Sequence, residues 1–586
     1  MSHFRSRVPA AALVAALLVV LPIAGCDREA GPPAAPPDAG PGPGVDGDES
    51  PIQALYLCGN RFVLINAHPF PVRVTWRVQG TDEHGEQLLR AAPAGDPAIS
   101  EVELAVRHEG SLALYRGDEL LGVREHERTA CEPVTGGPSF AAAATSSAGA
   151  WSAPVAWPIV PLHMHLLRNG RVLGWGKFDA PYVYDPATGN FAVEPVGAWL
   201  FCAGHSFLPD GRLLVAGGHI SDDHGLADTH LFDPGTGSWE TAAPMRKGRW
   251  YPTTTTLPNG EVLVLAGRDE NGVTVTVPEV WTGSGWRALT GASRTLPYYP
   301  RAFVAPNGKV FYAGEEQVSR WLTTTGSGGW STGPTRTYGS RNYGAAVMYL
   351  PGKILYAGGG RTTATAETID LNAASPAWKR TASMAYPRRH LNATVLPTGE
   401  VLVTGGSRGT SFNEPSLAVR VAEIWNPATG AWTQVASNAV DRTYHSTSLL
   451  LPDGRVLHAA SGNALLADGT PSPDQKNAEF YSPPYLFKGT RPTISSAPTS
   501  ARYGQSFVVG TSSPAAVAKV SFIALGSTTH AFDANQRFMW LDFTTTTGGI
   551  SVKAPASRNL APPGYYMLFT LNGNGVPSKA RIIRLR

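Results

Sequence analysis

Apolar residues in this chain fall in short runs paired across a glycine. Seven times between about residue 160 and residue 460, an apolar run leads into a polar turn and then a second apolar run. The turns lie at Gly170, Gly211, Gly260, Gly308, Gly352, Gly399 and Gly454. Short apolar runs bounded by turn residues read as buried strands. Several units continue into a further strand closed by a Pro/Gly turn, as in Asp185-Pro186-Ala187-Thr188-Gly189, Asp233-Pro234-Gly235-Thr236-Gly237 and Asn426-Pro427-Ala428-Thr429-Gly430. Gly217-Gly218 and Gly405-Gly406 end second runs. The turns recur roughly every 40 to 55 residues, the period of a four-stranded propeller blade.

The expected fold is therefore all-β, with a seven-bladed kelch-type β-propeller over residues 151–488. A β-solenoid has the wrong period, and a two-sheet sandwich needs no such self-similar units. Alternation in Arg61–Ile65 and Val72–Trp76 predicts an N-terminal β-sandwich over 51–135. A Ser/Ala/Gly-rich linker follows. Short strands such as Ala518–Ala524 and Tyr565–Phe569 predict an immunoglobulin-like sandwich over 489–586.

The first residues have the layout of an export signal: Arg5 and Arg7, then an apolar run from Ala10 to Gly25. Ile23-Ala24-Gly25-Cys26 resembles the lipobox of bacterial lipoproteins, so 1–25 is expected to be removed and Cys26 lipidated. Residues 26–50, rich in Pro, Gly and Ala, read as a tether. The protein is expected on the periplasmic or cell-surface face of the envelope, or secreted, meeting membrane only through the lipid. Cys58 and Cys131 stand near the two ends of the N-terminal module, and in an oxidising compartment a disulfide between them is the economical expectation. Lys and Arg number 48 against 45 Asp and Glu, so there is no electrostatic case for nucleic acid. A monomer is expected.

The candidate chemistry follows the repeat. Cys202, Tyr251 and His445 each stand about nine residues before a turn glycine, and His390 and Tyr343 share that offset. Side chains alternate along a strand, so equal offsets predict one strand phase and convergence on one site. Tyr444 adjoins His445, and both reach one metal only if the backbone is irregular there. Phenol and imidazole donors suit Cu(II) better than structural zinc. No close cysteine pair supports a zinc ribbon or an iron–sulfur cluster. Arg341, His390 and Trp250 are candidate substrate contacts; His163, His165 and His205 read as structural.

Phe201-Cys202-Ala203-Gly204, Arg249-Trp250-Tyr251, Thr443-Tyr444-His445-Ser446 and Thr529-His530 with Gln536-Arg537 together resemble the signatures of the copper radical oxidases, the family of galactose oxidase and glyoxal oxidase. The resemblance covers roughly Trp151 to Arg586. It implies a copper enzyme that oxidises a primary alcohol or small aldehyde with O2 and releases H2O2. It further implies a self-processed Cys202–Tyr251 thioether as the radical cofactor, and Tyr251, Tyr444, His445 and His530 as metal ligands, with Tyr444 also the base. Galactose oxidase stacks a tryptophan over its crosslinked tyrosine from just after the blade's second strand. Here that place reads Ala266-Gly267-Arg268-Asp269, which argues against galactose as substrate. The rival readings are a non-enzymatic cell-surface scaffold or glycan-binding protein, and a different propeller enzyme such as a sugar epimerase or quinone dehydrogenase.

Overall fold

The computed structural model describes residues 52–56, 61–66, 72–89, 100–105, 111–116, 119–124, 146–466 and 469–586. The signal segment, the tether, Cys26, Cys58 and Cys131 lie outside these, as do the lipidation and disulfide expectations that rest on them. The chain divides into two compact units, 1–135 and 136–586.

The first unit contains a three-stranded and a four-stranded antiparallel sheet. Val72–Val78 alternates, burying Val72, Val74, Trp76 and Val78 on one face, as a strand with one covered face must.

The second unit opens with the seven antiparallel blades of a propeller: five are four-stranded sheets, and two are extended, one to six strands and one to five. Their innermost strands are His163–Leu166, Gly204–Phe207, Thr253–Thr256, Arg301–Val304, Ala345–Leu350, Asn392–Val395 and Thr447–Leu450. Within each blade the strands pair in sequence order. The seventh blade draws its fourth strand from the start of the unit: Ala150–Trp151 pairs with Asn477–Ser482, Trp151 opposite Tyr481. Closing a ring of sheets in this way leaves only short, protected edges.

The C-terminal part carries a five-stranded and a three-stranded sheet around Val520, Phe522, Ile550, Val552 and Leu568. Between its strands Val517–Ala524 and Phe538–Trp540, a hairpin leaves the sandwich. Its strands are Ser527–Thr529 and Phe532–Asp533, and the first pairs with the innermost strand of blade 1, Thr529 opposite His163. Among the described residues no helix is long and apolar enough to cross a membrane.

Candidate metal centre

Each innermost strand runs from the propeller's mouth to its base. Two residues before the strand begins, six of the seven blades hold a non-glycine residue with positive φ: Cys202 (62°), Tyr251 (62°), Tyr299 (44°), Tyr343 (53°), His390 (59°) and His445 (67°). The seventh position is Pro161, whose ring forbids positive φ. Shared strand phase is therefore not what unites these residues. They sit outside the strand, on a repeated left-handed turn that aims each side chain into the mouth. The turns are linked: the Tyr251 N–H donates to the Cys202 carbonyl (2.9 Å), the Tyr299 N–H to that of Tyr251 (3.0 Å), and the His390 N–H to that of Tyr343 (2.9 Å). Tyr299, at the same offset before Gly308, is the member the sequence reading overlooks.

The left-handed turn also stacks neighbours. The rings of Trp250 and Tyr251 lie 3.8 Å apart and 7° from parallel, and those of Tyr444 and His445 lie 3.8 Å apart at 27°. The face of Tyr251 is thus covered by tryptophan from the adjacent residue, although none follows Gly267. The Trp250 indole N–H donates to His219 Nδ1 (3.0 Å), which fixes the ring.

His530 arrives on the hairpin tip. His530 and Ala531 form the two-residue turn between paired Thr529 and Phe532, with φ of 46° and 64°. Turns of that kind ordinarily recruit Asn or Gly. Arg301, itself buried, secures the tip by donating to the carbonyls of His530 (3.1 Å), Gly344 and Tyr299.

Four side chains meet here. The hydroxyls of Tyr251 and Tyr444 are 2.8 Å apart. The His530 ring centroid is 4.7 Å from Tyr251, 5.6 Å from Tyr444 and 4.8 Å from His445. The imidazole tautomers follow from their partners. His445 Nδ1 faces the Gly462 carbonyl (2.7 Å) and must donate. Thr529 spends its hydroxyl proton on the Leu162 carbonyl (2.9 Å), so it accepts from His530 Nδ1 (2.6 Å). Both Nε2 atoms therefore present lone pairs, and both are buried without a partner. Histidines oriented through Nδ1, with Nε2 left bare, have the arrangement of metal ligands. Among the described residues no cluster of three His, Cys, Asp or Glu is placed to hold a metal, so a metal here needs the two phenols as well. That donor set fits Cu(II).

Burial pushes the Tyr251 and Tyr444 hydroxyls and the Cys202 thiol well above their ordinary values, and it pushes His445 down to about 3 and His530 well below the usual imidazole range. Burial thus favours the neutral form of each of these groups, and a bound cation would favour phenolate. Cys202 packs with Trp250, Tyr251 and Tyr299 in one buried cluster, and its N–H donates to His163 Nε2 (3.2 Å). Because an amide can only donate, the direction of the next two links follows: His163 Nδ1 donates to His205 Nε2 (3.0 Å) and His205 Nδ1 to Ser527 Oγ (2.7 Å), while Ser527 Oγ also contacts His165 Nδ1 (2.9 Å) and the His205 carbonyl (3.4 Å). These three histidines form a hydrogen-bonded scaffold between Cys202 and the hairpin.

His390 lies beside the site, its ring 4.8 Å from Tyr444 and its Nε2 bonded to the Phe412 carbonyl. Arg341 does not. It is fully buried and paired with Glu367 (3.1 Å), and it donates to the Gly358 and Thr365 carbonyls. Arg249–Glu279, Arg388–Glu423 and Arg442–Glu479 repeat that buried pair, so Arg341 is a blade clamp and not a substrate contact. A cavity of about 350 Å³ does adjoin the site, lined by Arg268, Tyr298, Arg301, Glu315, Asn342 and Tyr343 among others. Tyr298 lies 5.2 Å from Tyr251.

Three family models match the chain: glyoxal oxidase N-terminus over 359–485, galactose oxidase-like Early set domain over 491–585, and a kelch motif over 208–246. Galactose oxidase of Gibberella zeae is 30% identical over 496 residues, covering 75% of this chain and 70% of that one. The aldehyde oxidase GLOX of Vitis pseudoreticulata is 29% identical over 442 residues, covering 66% and 82%. A fungal alcohol oxidase of the AA5 family, solved with copper, superposes with a TM-score of 0.69 at 27% identity over 75% of this chain and all of that one.

Proposed function

The chain belongs to the copper radical oxidase family of galactose oxidase and glyoxal oxidase and is a copper-dependent oxidase; from that premise we propose that it oxidises a primary alcohol or small aldehyde with O2, through a Cys202–Tyr251 thioether radical. The observation that carries this reading is the meeting of two phenol hydroxyls and two bare, buried imidazole nitrogens beside a buried cysteine. His445 and His530 would hold copper through Nε2, and Tyr251 and Tyr444 through their hydroxyl oxygens. Copper, when bound, supplies a Lewis acid and a one-electron acceptor. Tyr444 takes the substrate's hydroxyl proton. Tyr251, as the radical, takes a hydrogen atom from the carbon, and Trp250 shields its face from solvent. The alcohol loses two hydrogens and becomes the aldehyde; O2 gains both and leaves as H2O2. With an aldehyde, the hydrate is oxidised in the same way to the acid. Export and lipid anchoring at Cys26 complete the proposal on the strength of the signal segment.

Intact mass and peptide mapping after copper loading in air test it. The wild-type protein should lose two hydrogens and yield one branched peptide joining Cys202 to Tyr251, and Cys202→Ala should yield neither. Tyr444→Phe should retain the crosslink and lose about 10²–10⁴-fold in turnover, the usual worth of a positioned proton acceptor. An unchanged mass, with Cys202 still alkylatable, rejects the radical cofactor.

A further inference from the structure

The mouth is two-sided. Its loops join second to third strands and fourth to first strands. Among the described residues of 136–586, every large apolar side chain left exposed lies on such a loop or at the mouth end of a strand, with Val508 the exception. Five of them form an arc over blades 6, 7, 1 and 2: Phe412, Leu465, Phe178, Trp199 and Ile220. Hydrogen bonds and ring contacts link neighbouring members of the arc. Asn413, next to Phe412, donates to the Leu465 carbonyl (3.3 Å). Asn463 accepts from the Lys177 N–H (3.3 Å). Phe178 lies 6.1 Å from Trp199. Trp199 packs on His219, the neighbour of Ile220, at 4.4 Å. The opposite side, over blades 3 to 5, is a cavity that mixes the charged Arg268, Arg301 and Glu315 with Leu296, Tyr298 and Tyr343. Phe412 joins the arc to the site, its ring 4.8 Å from Tyr444. Exposed apolar surface costs free energy unless something covers it, and a contiguous apolar patch on a soluble fold marks a binding surface.

We infer that the arc is the binding surface for the non-reacting part of the substrate, and that the substrate is therefore a primary alcohol or aldehyde bearing an alkyl chain or aromatic ring, in preference to a polyol. The inference rests on the proposed oxidase reading and deepens it. The occupant follows from continuity: Phe412 belongs both to the arc and to the surroundings of Tyr444, and the cations beside the arc are already spread over rings, Lys177 over Phe178 and Phe201 (5.2 and 5.4 Å) and Arg389 over Phe412 (5.4 Å).

Copper-loaded full-length protein, its crosslink verified by mass, should be assayed for peroxide release from propan-1-ol through octan-1-ol, benzyl alcohol, glycerol and galactose. The expected kcat/KM rises about twofold per added methylene, less than full burial would give because the arc is open, and benzyl alcohol exceeds glycerol. Phe178→Ser combined with Leu465→Ser, both exposed and so tolerant of change, should flatten that rise. A flat series with strong turnover, or preference for glycerol or galactose, overturns the inference and leaves the oxidase reading standing. Peroxide from no member overturns both. A rise that the double variant leaves intact, alongside wild-type binding to phosphatidylcholine vesicles that the variant lacks, assigns the arc to a membrane surface and overturns the inference.

Discussion

The innermost strand is flanked by a left-handed residue at the base in all seven blades and at the mouth in six, and the two ends meet that demand differently. At the base, every turn uses glycine: Gly170, Gly211, Gly260, Gly308, Gly352, Gly399 and Gly454, with φ between 76° and 89°. At the mouth, the residues are one Cys, three Tyr and two His. Glycine takes positive φ without steric penalty, whereas other L-residues give up roughly 1–2 kcal/mol. Strain of this kind persists only where the surroundings over-determine it. The mouth supplies such surroundings. Arg249, Arg341 and Arg388 each stand two residues before a left-handed position, pair with a buried Glu, and bind the carbonyl that ends the second strand at Ala266, Gly358 or Gly405. Among the described residues no such buried Arg–Glu pair stands at the base turns, where glycine makes none necessary. Conformational ease is kept where only a turn is wanted, and strain is accepted where a reactive side chain must point inward.

The strongest way to break this contrast is to remove a clamp. Arg341→Met leaves Glu367 buried and unpaired and should cost about 3–5 kcal/mol, read as a lower denaturant midpoint, with substrate KM unchanged in whatever folds. A tenfold rise in KM at full stability would return Arg341 to the substrate pocket.

Acid is the next lever, because the buried interior near the mouth holds neutral imidazoles and the base turns contain none. Burial holds His205 and His458 at about 3, against an ordinary 6.5. Between those values the unfolded chain binds protons that the folded chain refuses. Their contribution is therefore complete above about pH 6.5 and lost as the pH falls, by about 1.4 kcal/mol per unit for each imidazole. Melting followed from pH 7 to pH 4 should show the decline, and an unchanged Tm would contradict it.

The smallest effect belongs to the base. An added Cβ at Gly170 meets nothing within 4 Å, so Gly170→Ala should cost only about 1 kcal/mol through φ and leave copper binding and crosslinking at wild-type levels. A loss of crosslinking in that variant would show that the two ends are not independent.

Much of this was legible in the chain. The paired apolar runs and turn glycines reveal the blades because a buried strand needs a run and a tight turn needs glycine. The common offset singled out Cys202, Tyr251, His390 and His445, although the cause is a left-handed turn and not pleat alternation. Tyr299 carried the same signal before Gly308. The stacking of Trp250 on Tyr251 was hidden, since adjacent residues face one way only when the backbone between them reverses. Arg341 looked like a pocket residue because its neighbour Tyr343 shares the offset; its partner Glu367 becomes a neighbour only in the folded sheet.

The hairpin that carries His530 also sets a timetable. The ring closes when residues 477–482 capture Ala150–Trp151, and the fourth donor comes later still, at position 530 of 586. A chain lengthening from its N-terminus holds every strand of the propeller before it holds His530. Under the proposed mechanism, a chain cut short before residue 530 would keep Cys202, Tyr251, Tyr444 and His445 and lack the fourth donor, so copper-dependent crosslinking should not begin until the last domain is present.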